Sequence, residues 1–415
     1  MPESDLLRPS NELALASARQ ADDFVDSIGV NTHLRYSDTA YDDFASVEEQ
    51  LAASGIRHIR DGLELDLPSV YRRYQRLAEL GVKVTLGLGN PLHGGEGSPW
   101  GTVGELSDLL ENELLPSGVV EAVEGANEWD LTERADWAAE ARAHQRNIWT
   151  TVKGNPALSH LPVLTPSLGR PTDAERFAEL GDLSDYADFG NVHDYPGGVT
   201  PTEEFVAGVI ARQSVVSSDK PIIATETGYH QSPAATDQPD GNPAVTQAEA
   251  GDLIPRIFLE HFAAGIERTF VYELVDQYDR PNETESNFGQ LNHDFSPKQS
   301  FRVMSYLIAL LADPGPLFKP EPLGFNIEAD GDEVASLLLQ SRDRDWYLIV
   351  WRRSPPVSQT SCENDGTPLT IRFDRRLSTI IAHRPLCDER EHKSGPNGGA
   401  VLQVADDVVV LQLGE

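Results

Sequence analysis

Two stretches decide the fold of this chain: VVEAVEGANEW at residues 119–129 and PIIATETG at residues 221–228. Each is a short apolar run rich in β-formers that gives way to a glutamate, Glu128 in the first and Glu226 in the second, with glycine close by. Runs of this length that are apolar on both faces read as strands of a parallel sheet. Six more carry the same mark: Val25 to Asn31, Ile56 to Arg60, Val82 to Leu88, Leu161 to Thr165, Phe189 to His193, and Arg268 to Leu274. With Val119 to Ala126 and Ile222 to Glu226 they make eight, each bounded by Gly, Pro, Asn or Asp.

Helical patterns separate the runs. From Leu67 to Leu80, the residues Leu67, Val70, Tyr71, Tyr74, Leu77 and Ala78 share one face before Gly81 ends the turn. Residues 135–152 form an Ala-rich helix, Pro201 to Glu204 is an acidic first turn, and Thr246 opens a capping-box pattern, TQAE. Ser296 to Leu311 supplies the eighth helix. Eight alternating pairs with no strand left over predict an α/β fold, a closed (β/α)8 barrel over residues 25–312, rather than an open doubly wound sheet.

A chain of 415 residues exceeds what one core usually organises. Residues 1–24 read as an N-terminal segment. After Asp313-Pro314-Gly315-Pro316 the character changes to short strands and turns: Val334 to Gln340, Trp346 to Trp351, Leu369 to Phe373, and Val408 to Leu413. These predict a small antiparallel β-sandwich domain over residues 313–415. The Pro-rich Ser354 to Pro356 and the Ser394 to Gly399 loop interrupt it. Cys362 and Cys387 fall in this part, too few for a disulfide framework or a cysteine metal site; they either pair with each other or stay free.

The 33 Lys+Arg residues against 67 Asp+Glu give a formal charge of −34, which repels nucleic acid and anionic lipid surfaces alike. No apolar run reaches the roughly 20 residues needed to span a bilayer, so no membrane partner is expected. The carboxylate-rich, arginine-over-lysine surface suits either high salt, where screening relieves self-repulsion, or a salt-indifferent acidic enzyme. The first twenty residues show no basic region followed by an apolar one, and a cytoplasmic location is the default expectation.

In such a barrel the site forms at the C-terminal ends of the strands. Strand 2 ends at Arg60 and strand 4 runs into Asn127-Glu128. Strand 6 ends at His193 with Tyr195 two residues on, strand 7 ends at Glu226, and strand 8 reaches Glu273. Carboxylates on strands 4 and 7 would face each other across the mouth, the pairing that glycosidic hydrolysis requires. One must be protonated and the other ionised, so their surroundings must differ. Arg60 would hold one as an anion, and a less polar setting beside Trp129 would favour the protonated form of the other. His33 at the end of strand 1, with Asn90 and His93 after strand 3, either reach sugar hydroxyls or cap loops. Trp100 and Trp129 offer a stacking surface for a sugar face, although Trp100, in a Gly-rich loop, would equally anchor that loop. Glu273 either binds a sugar hydroxyl or pairs with Arg60.

The set resembles the clan A glycoside hydrolases, particularly the bacterial enzymes of families 5 and 39. Gly125-Ala126-Asn127-Glu128 and Ala224-Thr225-Glu226-Thr227-Gly228 match that clan's strand 4 acid/base and strand 7 nucleophile. The resemblance implies a retaining glycosidase acting on a glycoside, oligosaccharide or polysaccharide, with Glu128 as acid/base and Glu226 as nucleophile. It also implies that Arg60 sits near the nucleophile, Asn127 contacts the sugar 2-hydroxyl, His193 lines the site and Tyr195 hydrogen-bonds Glu226. NFGQLNHDFSPKQSF (287–301) resembles the strand 8 to helix 8 connection of such enzymes, and the β-rich tail their accessory sandwich. Trp129 stands where many members have proline, and Glu273 where many have a sugar-stacking tryptophan.

The chemistry asks for no metal and no organic cofactor. Rival readings are a non-catalytic glycan-binding barrel, a metal-dependent barrel hydrolase, for which strand 1 offers Asn31 and His33 but no His-x-His pair, and a phosphate-binding barrel, for which no Gly-rich loop follows strands 7 and 8.

Overall fold

The structure, a computed structural model, describes residues 13, 15–92, 101–238, 242–329, 334–353, 367–393, 400–404 and 407–415. These divide into two compact units, one of Asp23–Ala312 and one of the residues before Asp23 together with those from Asp313 onward. His93, Trp100, Cys362, residues 354–356 and the 394–399 loop lie outside the described residues. Cys387 is disulfide-bonded.

The larger unit is a (β/α)8 barrel. Its strands are β1 (Ile28–Asn31), β2 (His58–Gly62), β3 (Lys83–Gly87), β4 (Val120–Glu124), β5 (Val163–Leu164), β6 (Gly190–His193), β7 (Ile222–Thr227) and β8 (Arg268–Val271). All pair in parallel in the order β5-β4-β3-β2-β1-β8-β7-β6. A parallel bridge from Leu164 to Phe189, just before β6, closes the ring. The eight apolar runs thus become eight strands, mostly trimmed by two or three residues. The second is instead shifted two residues on, to Gly62, the sixth loses one residue and the seventh gains Thr227. In the first, Val25 belongs to a short helix, Ala21–Asp26, and the strand starts only at Ile28.

The helices follow in turn: α1 (Phe44–Ser54), α2 (Pro68–Glu79), α3 (Val103–Leu109), α4 (Trp137–Gly154), α5 (Ala174–Leu180), α6 (Glu203–Ser217), α7 (Gln247–Ala264) and α8 (Gln299–Leu311). Local sequence fixes their ends. Pro68 opens α2, where its missing N–H costs nothing. In α7 the Thr246 hydroxyl accepts from Glu249 N at 3.1 Å while the Glu249 carboxylate accepts from Thr246 N at 2.6 Å. Gly265 then ends that helix in the left-handed region.

The barrel interior is packed, not hollow. Ala122 of β4, Leu164 of β5, Ile223 of β7 and Phe270 of β8 touch one another although β4 and β8 are not neighbours in the sheet, which places these side chains inside the ring. Phe270 fits because β1 carries Gly29: a Cβ there would lie 2.4 Å from the ring. One layer further towards the C-terminal ends, the buried side chains turn polar, with Arg60, Glu124, His193, Thr225 and Glu226 together.

The second unit is a β-sandwich. Leu15–Ala16, Leu323–Ala329, Thr367–Phe373 and Ala400–Val404 form one antiparallel sheet. Glu389–His392, Thr379–Arg384, Val409–Gly414, Trp346–Arg352, Val334–Gln340 and Arg19–Gln20 form the other, its last pair parallel. Their facing sides share an apolar core that includes Leu323, Leu338, Trp346, Leu348, Leu369, Ile371 and Leu411. Leu15–Ala16 and Arg19–Gln20 are therefore edge strands of this sandwich. No helix among the described residues is long and apolar enough to cross a membrane.

The N-terminal end of the barrel is tied by charge. The His58 imidazole lies 2.8 Å from Glu121 and 3.1 Å from Asp26, and Arg268 reaches the same two carboxylates. Burial works against the charged ring, but hydrogen bonds to Asp26 and Glu121 outweigh it and raise the His58 pKa. A histidine raised in this way stabilises the fold fully below its unfolded pKa and loses that contribution as pH climbs through the folded value. Replacing His58→Gln should therefore lower the melting temperature more at about pH 5.5 than at about pH 8.5. Equal losses at the two pH values would assign His58 to packing alone.

Candidate active site

Arg60 organises the mouth of the barrel. From β2 its guanidinium grips Glu124 of β4 with two hydrogen bonds, Nε to Oε2 at 3.0 Å and Nη2 to Oε1 at 2.5 Å. Nη1 reaches Glu226 Oε1 at 2.5 Å, and Nη2 also donates to Asn127 Oδ1 at 2.6 Å. Glu124 is wholly buried and Arg60 nearly so, so one cation holds two carboxylates away from water, an arrangement stable only when every group is paired.

Glu226, at the end of β7, also accepts from the Tyr195 hydroxyl at 2.7 Å through its second oxygen. Burial would raise its pKa, but the charges of His193 and Arg60 and the hydrogen bonds from Tyr195 and Arg60 outweigh that and hold the carboxyl below its ordinary range. Glu226 is thus kept ionised with both oxygens oriented.

Glu128 sits on a different kind of support. Its backbone is left-handed, with φ 45° and ψ 41°, a conformation costing a non-glycine residue about 1–3 kcal/mol. What enforces it is the residue on either side. Asn127 N donates to the Asn90 side chain at 2.9 Å. Trp129 plunges into the core against Trp137, Leu168 and Phe177, its indole N–H bonded to Glu140 at 2.9 Å. The chain must therefore turn Glu128 outward, where Oε1 lies 2.7 Å from His193 Nδ1.

His193 joins the two carboxylates. Its Nδ1 is 2.7 Å from Glu128 and 3.5 Å from Glu226, and its Nε2 is 3.0 Å from the Thr225 hydroxyl. Burial alone would lower the imidazole pKa, but the charge of Glu226 and the bond to Glu128 raise it. One oxygen or ring nitrogen from each of Glu128, His193 and Glu226 lies within 4.8 Å of the others. A divalent ion could use such a grouping, but the Arg60 guanidinium already sets a positive charge 2.5 Å from Glu226.

The sequence-predicted residues divide. Arg60, Asn127, Glu128, Tyr195, Glu226, His33 and Asn90 line one cavity of about 670 Å³, with His193 directly beneath Glu128 and Glu226. Asn90 supports the Asn127 backbone as well as lining the wall. His33 stacks on Tyr36 at 4.7 Å, and burial, then the charge of Arg35, lowers its pKa to about 3, leaving it neutral. Two expectations are corrected. Trp129 serves the core and is not a stacking platform or a cover for Glu128, since its ring is consumed by packing and by Glu140. Glu273 is wholly buried, accepting from Tyr41 at 3.0 Å and from Gln277, so it reaches neither the cavity nor Arg60; burial keeps its carboxyl well above the ordinary range.

Among the cavity residues not picked out from the sequence are Tyr36, Tyr272, Glu285 and Phe288. Tyr272, Phe288 and Tyr195 meet edge to face at 5.5–6.5 Å and form an aromatic wall. Strand parity offered a signal for Tyr272, since Phe270 points into the barrel and the residue two further on shares its side. Glu285 comes from the loop after β8, which has no periodicity to read.

No family model matches the chain, and no curated protein matches its sequence. Solved structures do. A family 39 glycoside hydrolase from Bacteroides cellulosilyticus WH2 shares 17% identity over 94% of this chain and 82% of its own, with a TM-score of 0.66. A family 39 β-xylosidase from Caulobacter crescentus shares 16% over 96% and 98%, with a TM-score of 0.60. The family 39 enzyme from Xanthomonas axonopodis pv. citri shares 16% over 99% of both chains, with a TM-score of 0.59. The chain shares with them the barrel-and-sandwich fold.

The ion-pair geometry predicts how the mouth fails. Arg60→Met strands Glu124 and Glu226 as buried anions and should cost about 3–5 kcal/mol of stability near neutrality. A carboxyl held low in the folded state stabilises above its unfolded pKa and loses that contribution as pH falls. Chemical denaturation at about pH 8 and about pH 4 should therefore show a markedly smaller loss at the lower value. A deficit that does not change with pH would mean that Arg60 matters through its packing.

Proposed function

We propose that this protein is a retaining glycoside hydrolase that cleaves an O-glycosidic bond, taken as β, by double displacement. The observation that carries the reading is the approach of Glu128 and Glu226. One carboxylate oxygen of Glu128, in the turn after β4, comes within 4.8 Å of one of Glu226, at the end of β7. Retaining enzymes need about 5–5.5 Å between the carboxyl groups, so that one can attack the anomeric carbon directly, whereas inverting enzymes leave about 6.5–9.5 Å for a water. The shared fold with family 39 glycoside hydrolases, among them a β-xylosidase, supports the same class.

In this mechanism Glu128 protonates the departing oxygen while Glu226 bonds to the anomeric carbon. Arg60 and Tyr195 suit Glu226 to nucleophilic attack, because they keep it ionised and fix both lone-pair directions before substrate arrives. A water then attacks the glycosyl-enzyme and gives its proton to Glu128, so the anomeric configuration is retained. Asn127, whose carbonyl is taken by Arg60, has its amide N–H groups to offer a sugar hydroxyl beside the reacting carbon. The aromatic wall of Tyr272, Phe288 and Tyr195 supplies apolar surface for a sugar face, and the neutral His33 a hydrogen-bonding group. The substrate class is a neutral glycoside or oligosaccharide.

Two measurements on aryl and alkyl β-glycosides test this. Glu226→Ala should be inactive and regain turnover with azide, yielding a glycosyl azide of inverted configuration. Glu128→Ala should slow release of a poor alkyl leaving group by about 10²–10⁴-fold while sparing formation of the glycosyl-enzyme from a dinitrophenyl glycoside. Hydrolysis of no glycoside by the wild type, with glycans still bound, would instead make the barrel a binding module.

A further inference from the structure

The polar side chains beneath the two glutamates have only one consistent arrangement of protons. Asn191 Nδ2 donates to the backbone carbonyl of Thr165 at 3.2 Å, which turns its Oδ1 the other way. The Thr225 hydroxyl donates to that Oδ1 at 2.6 Å. A hydroxyl has one proton, so towards His193 Nε2, 3.0 Å away, Thr225 can only accept. Nε2 therefore carries a hydrogen. The contact between His193 Nδ1 and Glu128 Oε1, at 2.7 Å, then needs one more proton: either the Glu128 carboxyl donates to a neutral ring, or an imidazolium donates to a carboxylate. Both descriptions hold the same single proton.

We infer that Asn191 and Thr225 are positioning residues that lock the His193 tautomer and so keep a proton in the contact between His193 and Glu128. The inference rests on the proposed hydrolase reading for its consequence, because that proton is the one Glu128 must deliver. When the glycosidic C–O bond breaks, the proton passes from Glu128 to the departing oxygen while Glu226 bonds to the anomeric carbon. Glu128 is then a carboxylate facing the Nδ1 lone pair. That unfavourable contact is relieved when the attacking water releases its proton to Glu128, which restores the starting pair.

The lock works by making the deprotonated pair costly in both tautomers. With hydrogen on Nε2, the bare Nδ1 faces the Glu128 carboxylate. With hydrogen on Nδ1, the bare Nε2 faces a Thr225 oxygen whose proton is committed to Asn191. All of Asn191, Thr225 and His193 are buried, so water cannot repair either arrangement. The charged and titratable groups around the ring are Glu128, Glu226 and Arg60, with Tyr195 bound to Glu226. The adjacent Asp194 is turned away to His261 at 2.8 Å.

The test is the pH profile of kcat/KM for an aryl glycoside with a poor leaving group. Thr225→Val removes the acceptor for Nε2–H and allows the Nδ1–H tautomer to donate to ionised Glu128. The alkaline limb should move to lower pH by about one unit, the scale of one buried hydrogen bond lost from the protonated form. Asn191→Ala frees the Thr225 hydroxyl to donate to Nε2 and should shift the limb in the same direction, whereas Thr225→Ser keeps the hydroxyl and should leave it in place. A uniform fall in rate with an unmoved limb in the Val and Ala variants would overturn the lock. Nitrogen-15 shifts of His193, identified by their loss in His193→Gln, test it without turnover. Nε2 should remain protonated throughout the wild-type titration, and a bare Nε2 in the wild type would overturn the inference even if the chain hydrolyses glycosides. Wild-type inactivity on every glycoside would count against the hydrolase reading alone, with the nitrogen shifts still deciding the lock.

Discussion

One guanidinium between two glutamates is the constraint from which the rest of the mouth follows. Arg60, Glu124 and Glu226 stand on β2, β4 and β7, so their hydrogen bonds span the ring. Taking three charges out of water is expensive, and the expense is offset only while geometry stays near ideal. The (β/α)8 scaffold supplies that rigidity, because the layer below is filled by Ala122, Leu164, Ile223 and Phe270 from several strands at once. Moving β4 or β7, which contribute to both, would loosen the packed layer and the ion network together. The pairing keeps Glu226 ionised without leaving it free to rotate.

The two glutamates are made unlike by their supports rather than by their side chains. Glu226 belongs to a strand, is buried, and is held by a cation and a phenol. Glu128 lies beyond its strand, on a left-handed residue, and is held by an imidazole. The strain at Glu128 is supported from Trp129, whose burial and bond to Glu140 leave the backbone no other course. Core packing on one side of the β4 loop thus fixes a side chain on the other, and a residue that never meets the cavity sets the position of one that does.

Much of this was legible in the sequence because it depends on periodicity. Eight apolar runs with bounded lengths can hardly be anything but parallel strands, and a polar residue just beyond such a run must lie at the barrel mouth. Arg60, Glu128, His193, Tyr195 and Glu226 all follow from that rule. What was not legible depends on which way a side chain turns after the strand has ended. Glu273 and Tyr272 are adjacent, and strand geometry beyond Val271 decided between them. Trp129 carries the same residue type a stacking platform would, but its environment is set by α4 and by residues near Leu168, far off in sequence. Glu124 was hidden inside a strand as one glutamate among several in VEAVEG, and only the reach of Arg60 distinguishes it. In the sandwich, Glu389–His392 has no apolar face and exists as a strand only by pairing with Thr379–Arg384. Leu15–Ala16 and Arg19–Gln20 are too short for any pattern.

The two ends of the barrel use similar residues to opposite effect. At the N-terminal end His58, Asp26, Glu121 and Arg268 pair with one another, so the donors and acceptors of that cluster are largely used within it. At the C-terminal end Arg60 and Glu124 are just as fully used, but the groups they hold in place are not: Asn127 keeps its amide hydrogens, and Glu128 and Glu226 present oxygens to a cavity. The difference lies in the balance of hydrogen-bond donors and acceptors. Where they balance, the cluster is structural, and where the sum leaves donors and acceptors facing an enclosed space, a ligand with the complementary set has a place to bind. In the proposed reading, a sugar, with hydroxyls that both donate and accept on an otherwise apolar ring face, is the complement to this wall of Tyr272, Phe288 and Tyr195 with Asn127 at its side.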